Sequence, residues 1–211
     1  MSIERVIVKN YRTLKDVDIE LNPDLNIIVG DNEAGKSTLL EAINLALNCQ
    51  LNRRPALYEL HPFLFNVQTV ARFIAGLKNG ENLAPPKVLI ELFLTDDDGL
   101  APLKGTNNSL GKNACGISLS IELDFENFAD EYKEYIEDRD NLNSIPVEYY
   151  HIVWDTFAGN PIRAQGKPIS CTLIDPSAIT NNYGAHKYVM EIVRDYLDKN
   201  RESIWLFHIE K

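Results

Sequence analysis

The chain is short of the features that mark secretion, membrane insertion or a metal frame. Only three of its 211 residues are cysteine, at positions 49, 115 and 171, and no C-x-x-C occurs. An odd number at long spacings gives neither a disulfide framework nor a zinc site, and points to reduced thiols in a cytoplasmic protein. No signal-peptide core follows Met1-Ser2-Ile3-Glu4-Arg5. The longest uncharged run, Leu60 to Ala71, is too short to span a bilayer and contains His, Asn and Gln, so no membrane partner is expected. Basic charge is scarce: 21 Lys and Arg stand against 31 Asp and Glu, a net charge of −10. No basic cluster is larger than the pair Arg53-Arg54. Binding to DNA or anionic lipid needs clustered cations, so the chain as a whole repels both. Any DNA contact is expected through regions outside it.

Hydrophobic residues make up 45% and charged residues 25%, ordinary for a globular protein. The length suits one large domain, with no internal repeat or linker. A strand is expected over about Ile3 to Lys9. A second follows over Val17 to Leu21, where Val17, Ile19 and Leu21 alternate with Asp18 and Glu20. After the turn Asn22-Pro23-Asp24, the apolar run Asn26-Ile27-Ile28-Val29 suits a buried strand in the middle of a sheet. Helices are expected over Lys36 to Asn48, Val67 to Lys78, Phe128 to Arg139 and Tyr183 to Lys199. Further strands are expected over Lys87 to Leu94, Ile117 to Phe125, Tyr149 to Phe157 and Pro168 to Ile174, with an exposed loop from Gly105 to Gly116. The sum is a mixed α/β domain that begins with an antiparallel strand pair.

Gly30-Asp31-Asn32-Glu33-Ala34-Gly35-Lys36-Ser37-Thr38 fits G-x-x-x-x-G-K-[ST]. The spacing has a mechanism. Successive loop amides turn inward to make a concave anion site, and the helix that starts at Lys36 adds its dipole and unpaired N–H groups. Gly35 permits a backbone conformation that a Cβ resists. Lys36 reaches the β- and γ-phosphates and is the candidate catalytic residue, while the Ser37 hydroxyl is the candidate Mg²⁺ ligand. A glycine loop that merely joins strand to helix would carry the same letters less often in this context. GTPases also need N-K-x-D, which is absent. Asp96-Asp97-Asp98-Gly99 matches D-x-x-G by letters but reads as a turn after a strand. Small-molecule P-loop kinases open directly with the loop strand, whereas two strands come first here.

Those strands, with Ile3 to Arg12 and Leu25 to Ile43, resemble the N-terminal half of the ABC-type ATPase heads of RecF, the structural maintenance of chromosomes (SMC) proteins and the OLD-family ATP-dependent endonucleases. The form Asp-Asn-Glu-Ala-Gly-Lys-Ser-Thr is most similar to the OLD family, with Glu33 where the chromosome branch has Gly. Pro86 to Leu92 and Ile145 to Tyr150 look like OLD-type segments as well. The resemblance implies a P-loop NTPase fold, an ABC-ATPase-like mixed sheet with helices on its faces. It implies ATP and Mg²⁺ as cofactors and a second ATPase head as partner, with roles in DNA repair or phage defence. It places Arg12 on nucleotide phosphate, with a solvated loop arginine as the alternative. Gly30, Asn32, Glu33, Ala34, Gly35, Lys36, Ser37 and Thr38 map onto the phosphate loop.

The family's signature Ser-Gly-Gly occurs nowhere in the chain, and Cys171 to Asp175 is followed by Pro176 where the catalytic Glu belongs. Residues 1–211 are therefore expected to be the N-terminal part of a head, lacking signature, Walker B and nuclease segments. Such a chain should bind ATP modestly and hydrolyse it slowly or not at all. Gln68 and Gln165 are both open as the Mg²⁺-sensing glutamine. His61, His151, His186 and His208 have no ligand spacing, and Trp154 and Trp205 are expected in the core. Two other readings stay open: a non-catalytic interaction module that keeps the fold, and a small P-loop kinase.

Overall fold

The alternation at the N-terminus becomes the edge of an antiparallel sheet. A computed structural model describes residues 2–164, 167–174 and 203–207. Strand β1 (Ile3–Tyr11) pairs with β2 (Leu14–Glu20), and α1 (Lys36–Asn48) follows after the glycine-bounded loop. A small hairpin, β3 (Gln50–Leu51) and β4 (Arg54–Pro55), leads to α2 (Val67–Lys78) and β5 (Val88–Leu94). Then come β6 (Lys104–Gly105), β7 (Ala114–Leu123), α3 (Phe125–Glu137) and β8 (Tyr150–Thr156). A separate parallel pair, β9 (Ser170–Ile174) and β10 (Ser203–Phe207), completes the described elements.

The main sheet has six strands in the order β2-β1-β5-β7, with β6 and β8 also paired to β7, and every pairing is antiparallel. Register places Val17, Val8, Ile90, Leu119 and Trp154 in one row across it. The next row, Asp18, Ile7, Glu91, Ser118 and Asp155, faces the other way. Helix α1 covers the apolar face and buries Leu39, Ala42, Ile43, Ala46 and Leu47. Each large aliphatic side chain so buried contributes about 1.5–3 kcal/mol. The Trp154 indole Nε1 donates to the Ala46 carbonyl at 2.7 Å, satisfying a backbone oxygen in the last turn of α1. Strand β9 also runs against α1, where Asn48 Nδ2 donates to the Cys171 carbonyl at 3.2 Å.

On the opposite face, Ile7, Phe93 and Phe157 form a small second cluster. The buried Glu91 carboxylate lies beside Ile7 and accepts from Ser109 N at 2.7 Å and from the Ser109 hydroxyl, pinning the polar loop that precedes β7. Cys49 and Cys115 are thiols rather than a disulfide, and burial pushes the Cys49 thiol up to about 11. Among the described residues no group of three or more His, Cys, Asp or Glu side chains could hold a metal ion, and no helix is long and apolar enough to cross a membrane.

Most expected elements are present. Helices α1 and α2 have the expected bounds, and the strands agree to within a few residues at each end. Three expectations change. Asn26 to Val29 is not a strand: the segment has no regular secondary structure, with Ile27 77% and Val29 83% exposed. A central strand takes hydrogen bonds from neighbours on both sides, and no described strand lies beside this one. The last strand residue expected of Ile117 to Phe125 instead opens α3, because the Asp124 side chain accepts from Asn127 N at 3.1 Å and caps a helix there. The irregular stretch expected over Arg53 to Pro62 contains part of the β3–β4 hairpin and a 3-10 turn. Asp96 to Gly99 is the expected turn, with Asp97 Oδ1 accepting from Gly99 N at 2.8 Å. The expected helix over Tyr183 to Lys199, the Asp175-Pro176 step, Gln165, His186 and His208 lie outside the described residues, as does the Trp205 side chain.

The Trp154–Ala46 bond makes a stability test. Trp154→Phe keeps most of the ring packing and strands the Ala46 carbonyl. Urea unfolding is expected to report a loss of about 1–3 kcal/mol, the cost of an unsatisfied buried polar group.

Candidate functional site

The glycine-bounded loop closes around its own lysine. Lys36 Nζ donates to the carbonyls of Gly30 at 2.7 Å and Asp31 at 2.8 Å, so the ammonium is folded back over the loop rather than out into solvent. Ala34 N donates to the Asp31 carbonyl at 3.2 Å and makes the turn. Asp31, Asn32, Glu33 and Ala34 are exposed, Gly35, Lys36 and Thr38 are half-buried, and Ser37 is exposed at the first turn of the helix. Glu33 and Gly35 both have positive φ, 70° and 91°, which reverses the chain into α1. Gly35 is the N-cap; it offers no side-chain cap, and the first turn carries no acidic residue. That end of the helix is therefore left to accept negative charge from elsewhere.

The β1–β2 turn is packed against the same spot. Thr13 Oγ1 lies 3.4 Å from Thr38 Oγ1. A Cβ at Gly35 would lie 2.8 Å from Leu14 Cδ2 and 3.2 Å from Thr13 Oγ1. Arg12, next in the same turn, lies against α1. Its Nε lies 2.8 Å from Glu41 Oε1 on α1. Glu41 also accepts from the hydroxyl of Tyr11, whose ring is fully buried. Burial, reinforced by the Glu41 charge, pushes the Tyr11 phenol far above its ordinary value, so it remains a donor. Neither Tyr11 nor Glu41 stands out in the sequence. The one available signal was spacing, since Glu41 follows Ser37 by four residues and so shares its helix face.

The turn itself is strained and over-determined. Asn10 and Arg12 have φ of 58° and 47°, left-handed values that non-glycine residues seldom adopt. Arg12 N donates to the Leu64 carbonyl, Asn66 N to the Asn10 carbonyl and Asn66 Nδ2 to the Arg12 carbonyl, each at 2.9 Å. Thr69 Oγ1 donates to Asn10 Oδ1 at 2.8 Å. Asn66 is also the N-cap of α2, so one side chain ties that helix to the Arg12 turn. Gln68 is exposed in the first turn of α2. His61 and His151 sit in separate places, His151 beside Glu122 and Asp124 on the sheet.

A glycine-bounded loop capping a helix, with a lysine folded onto it and a strained turn beside it, defines a P-loop nucleotide-binding protein. A family profile described as "AAA ATPase domain" matches residues 1–165, and the chain belongs to that family. It is 51% identical over 43 residues to the DNA replication and repair protein RecF of Haemophilus ducreyi, a match covering 20% of this chain and 12% of that protein. With RecF of Colwellia psychrerythraea it shares 33% identity over 97 residues, 44% of this chain and 25% of the relative. The DNA double-strand break repair Rad50 ATPase of Methanopyrus kandleri is 51% identical over 45 residues, 21% of this chain and 5% of that protein. These matches span only a small part of the relatives' length. Among solved structures, one of RecF with ATP aligns with 93% of this chain and 41% of its own at 15% identity, with a TM-score of 0.43.

Gly35→Ala is expected to lower stability by about 1–3 kcal/mol, because it combines a left-handed backbone with a clash against Leu14. Gly111→Ala also has positive φ (61°) but nothing within 4 Å of the new Cβ. Chemical denaturation of the two variants side by side separates the clash from the backbone term, and the Gly35 variant should be the weaker.

Proposed function

We propose that residues 1–211 are the N-terminal part of an ABC-type ATPase head that binds ATP·Mg²⁺ through Gly30 to Thr38, within an OLD-like ATP-dependent DNA endonuclease. The observation that carries this reading is the Lys36 ammonium held over the loop at the uncapped start of α1. The donor set fits a triphosphate: one cation, a helix N-terminus and a hydroxyl at Ser37. In this reading Lys36 meets the β- and γ-phosphates, Ser37 supplies the oxygen for Mg²⁺, and Arg12 adds a second cation from the β1–β2 turn. Asn32, Glu33 and Ala34 shape the loop backbone. The bound metal would neutralise charge on the phosphates.

The exposed apolar segment Leu25 to Val29 supports the view that these residues are one part of a larger head. A strand of that composition is stable only between neighbours. Hydrolysis would then need the family's signature and Walker B segments and a second head covering the γ-phosphate, and DNA would be met by other regions. The OLD assignment rests on the loop spelling and on the segments at 86–92 and 145–150; the RecF and Rad50 relatives, named for DNA repair, support a role there.

A thermal-shift titration tests the binding. ATP·Mg²⁺ at one hundred times its Kd should add about 2.7 kcal/mol of stability. Lys36→Ala should abolish the shift. No shift in the wild-type chain, or one that survives Lys36→Ala, returns the chain to the reading of an interaction module without nucleotide chemistry. Transfer of phosphate from ATP to a metabolite would favour a kinase instead.

A further inference from the structure

The cluster formed by Tyr11, Arg12 and Glu41 joins the β1–β2 turn to the phosphate-loop helix. Arg12 is anchored at both ends of its peptide unit, through its N–H to Leu64 and its carbonyl to Asn66. Its backbone is thus fixed in a left-handed conformation that non-glycine residues seldom adopt and that persists only because its surroundings enforce it. The side chain is fixed separately. Glu41 Oε1 pairs ionically with Nε at 2.8 Å, the guanidinium carbon lies 5.8 Å from the centre of the Tyr11 ring, and the side chain remains 34% exposed. A guanidinium fork left partly exposed can meet an anion as a bidentate donor. Glu41 is itself held by the Tyr11 hydroxyl from below. It lies one helical turn beyond Ser37 on the same face of α1, about 6 Å along the axis.

We propose that Glu41, backed by Tyr11, is a positioning residue that aims the Arg12 guanidinium at the nucleotide phosphates. This rests on the reading of Gly30 to Thr38 as an ATP site. The opposite role for the same contact is a competing counter-ion, from which phosphate must pull Arg12 away. The geometry favours positioning. The guanidinium is held between the Glu41 carboxylate and the Tyr11 ring yet stays partly exposed, and the Tyr11 bond keeps the carboxylate from following the arginine. An arginine without that partner would sample many rotamers and lose entropy on each binding event.

A double-mutant cycle on the full chain decides between them. ATP·Mg²⁺ affinity is measured by calorimetry for wild type, Glu41→Gln, Arg12→Ala and the double variant, with Lys36→Ala as the control for the site. Glu41→Gln is expected to raise Kd about tenfold, the scale of one weakened charge-assisted contact. In the Arg12→Ala background the same change should have no further effect. Tyr11→Phe, which keeps the buried ring, should give a smaller loss in the same direction, and circular dichroism checks that each variant is folded. Tighter binding by Glu41→Gln overturns the proposal in favour of the counter-ion role. Equal losses with and without Arg12 overturn it in favour of a purely structural role. If the wild-type chain binds no ATP, the site reading and this proposal fall together. If it binds, and binding is lost in Lys36→Ala while Glu41→Gln matches wild type, only the positioning role falls.

Discussion

Leu39, Ala42, Ile43, Ala46 and Leu47 lie along one face of α1, and their burial against the antiparallel sheet determines where that helix begins and which way its N-terminus points. The glycine-bounded loop has little packing of its own. It is exposed over Asp31 to Ala34 and is held by the helix start on one side and by the Thr13–Leu14 turn on the other. Where α1 sits, the anion-accepting end of its dipole sits. The Trp154 indole and the Asn48 amide tie the far end of the same helix to β8 and to β9. The helix is therefore gripped along its length while its first turn stays open to solvent.

The second constraint is the turn between β1 and β2. Two residues with positive φ in three positions would be costly in an isolated hairpin. Here the cost is offset by four hydrogen bonds to Leu64, Asn66 and Thr69, which come from the segment that starts α2. The turn presents Arg12 next to α1, where Glu41 and Tyr11 receive it.

The apolar residues Leu25, Ile27, Ile28 and Val29 run into the loop from the exposed side. Their composition suits a strand with neighbours on both edges, yet the described sheet ends at β2 and does not reach them. The family match covers residues 1–165, whereas the matches to RecF of Haemophilus ducreyi and to Rad50 cover 12% and 5% of those proteins.

Local pattern determined much of this protein. The alternation in β2 and in Ile117 to Leu123 placed the faces of the sheet, the 3.6-residue spacing placed α1 and α2, and the motif Gly30 to Thr38 marked the loop with its lysine. Such features depend on residues close in sequence, so they can be read from it. Long-range packing decided the rest. Asn26 to Val29 has the composition of a strand, but hydrogen bonding needs a partner that composition does not name. Glu41 and Tyr11 are ordinary residues until a sheet strand and a helix thirty positions apart bring their oxygens together. Only the folded backbone, by pinning the Arg12 turn to the start of α2, makes that meeting obligatory.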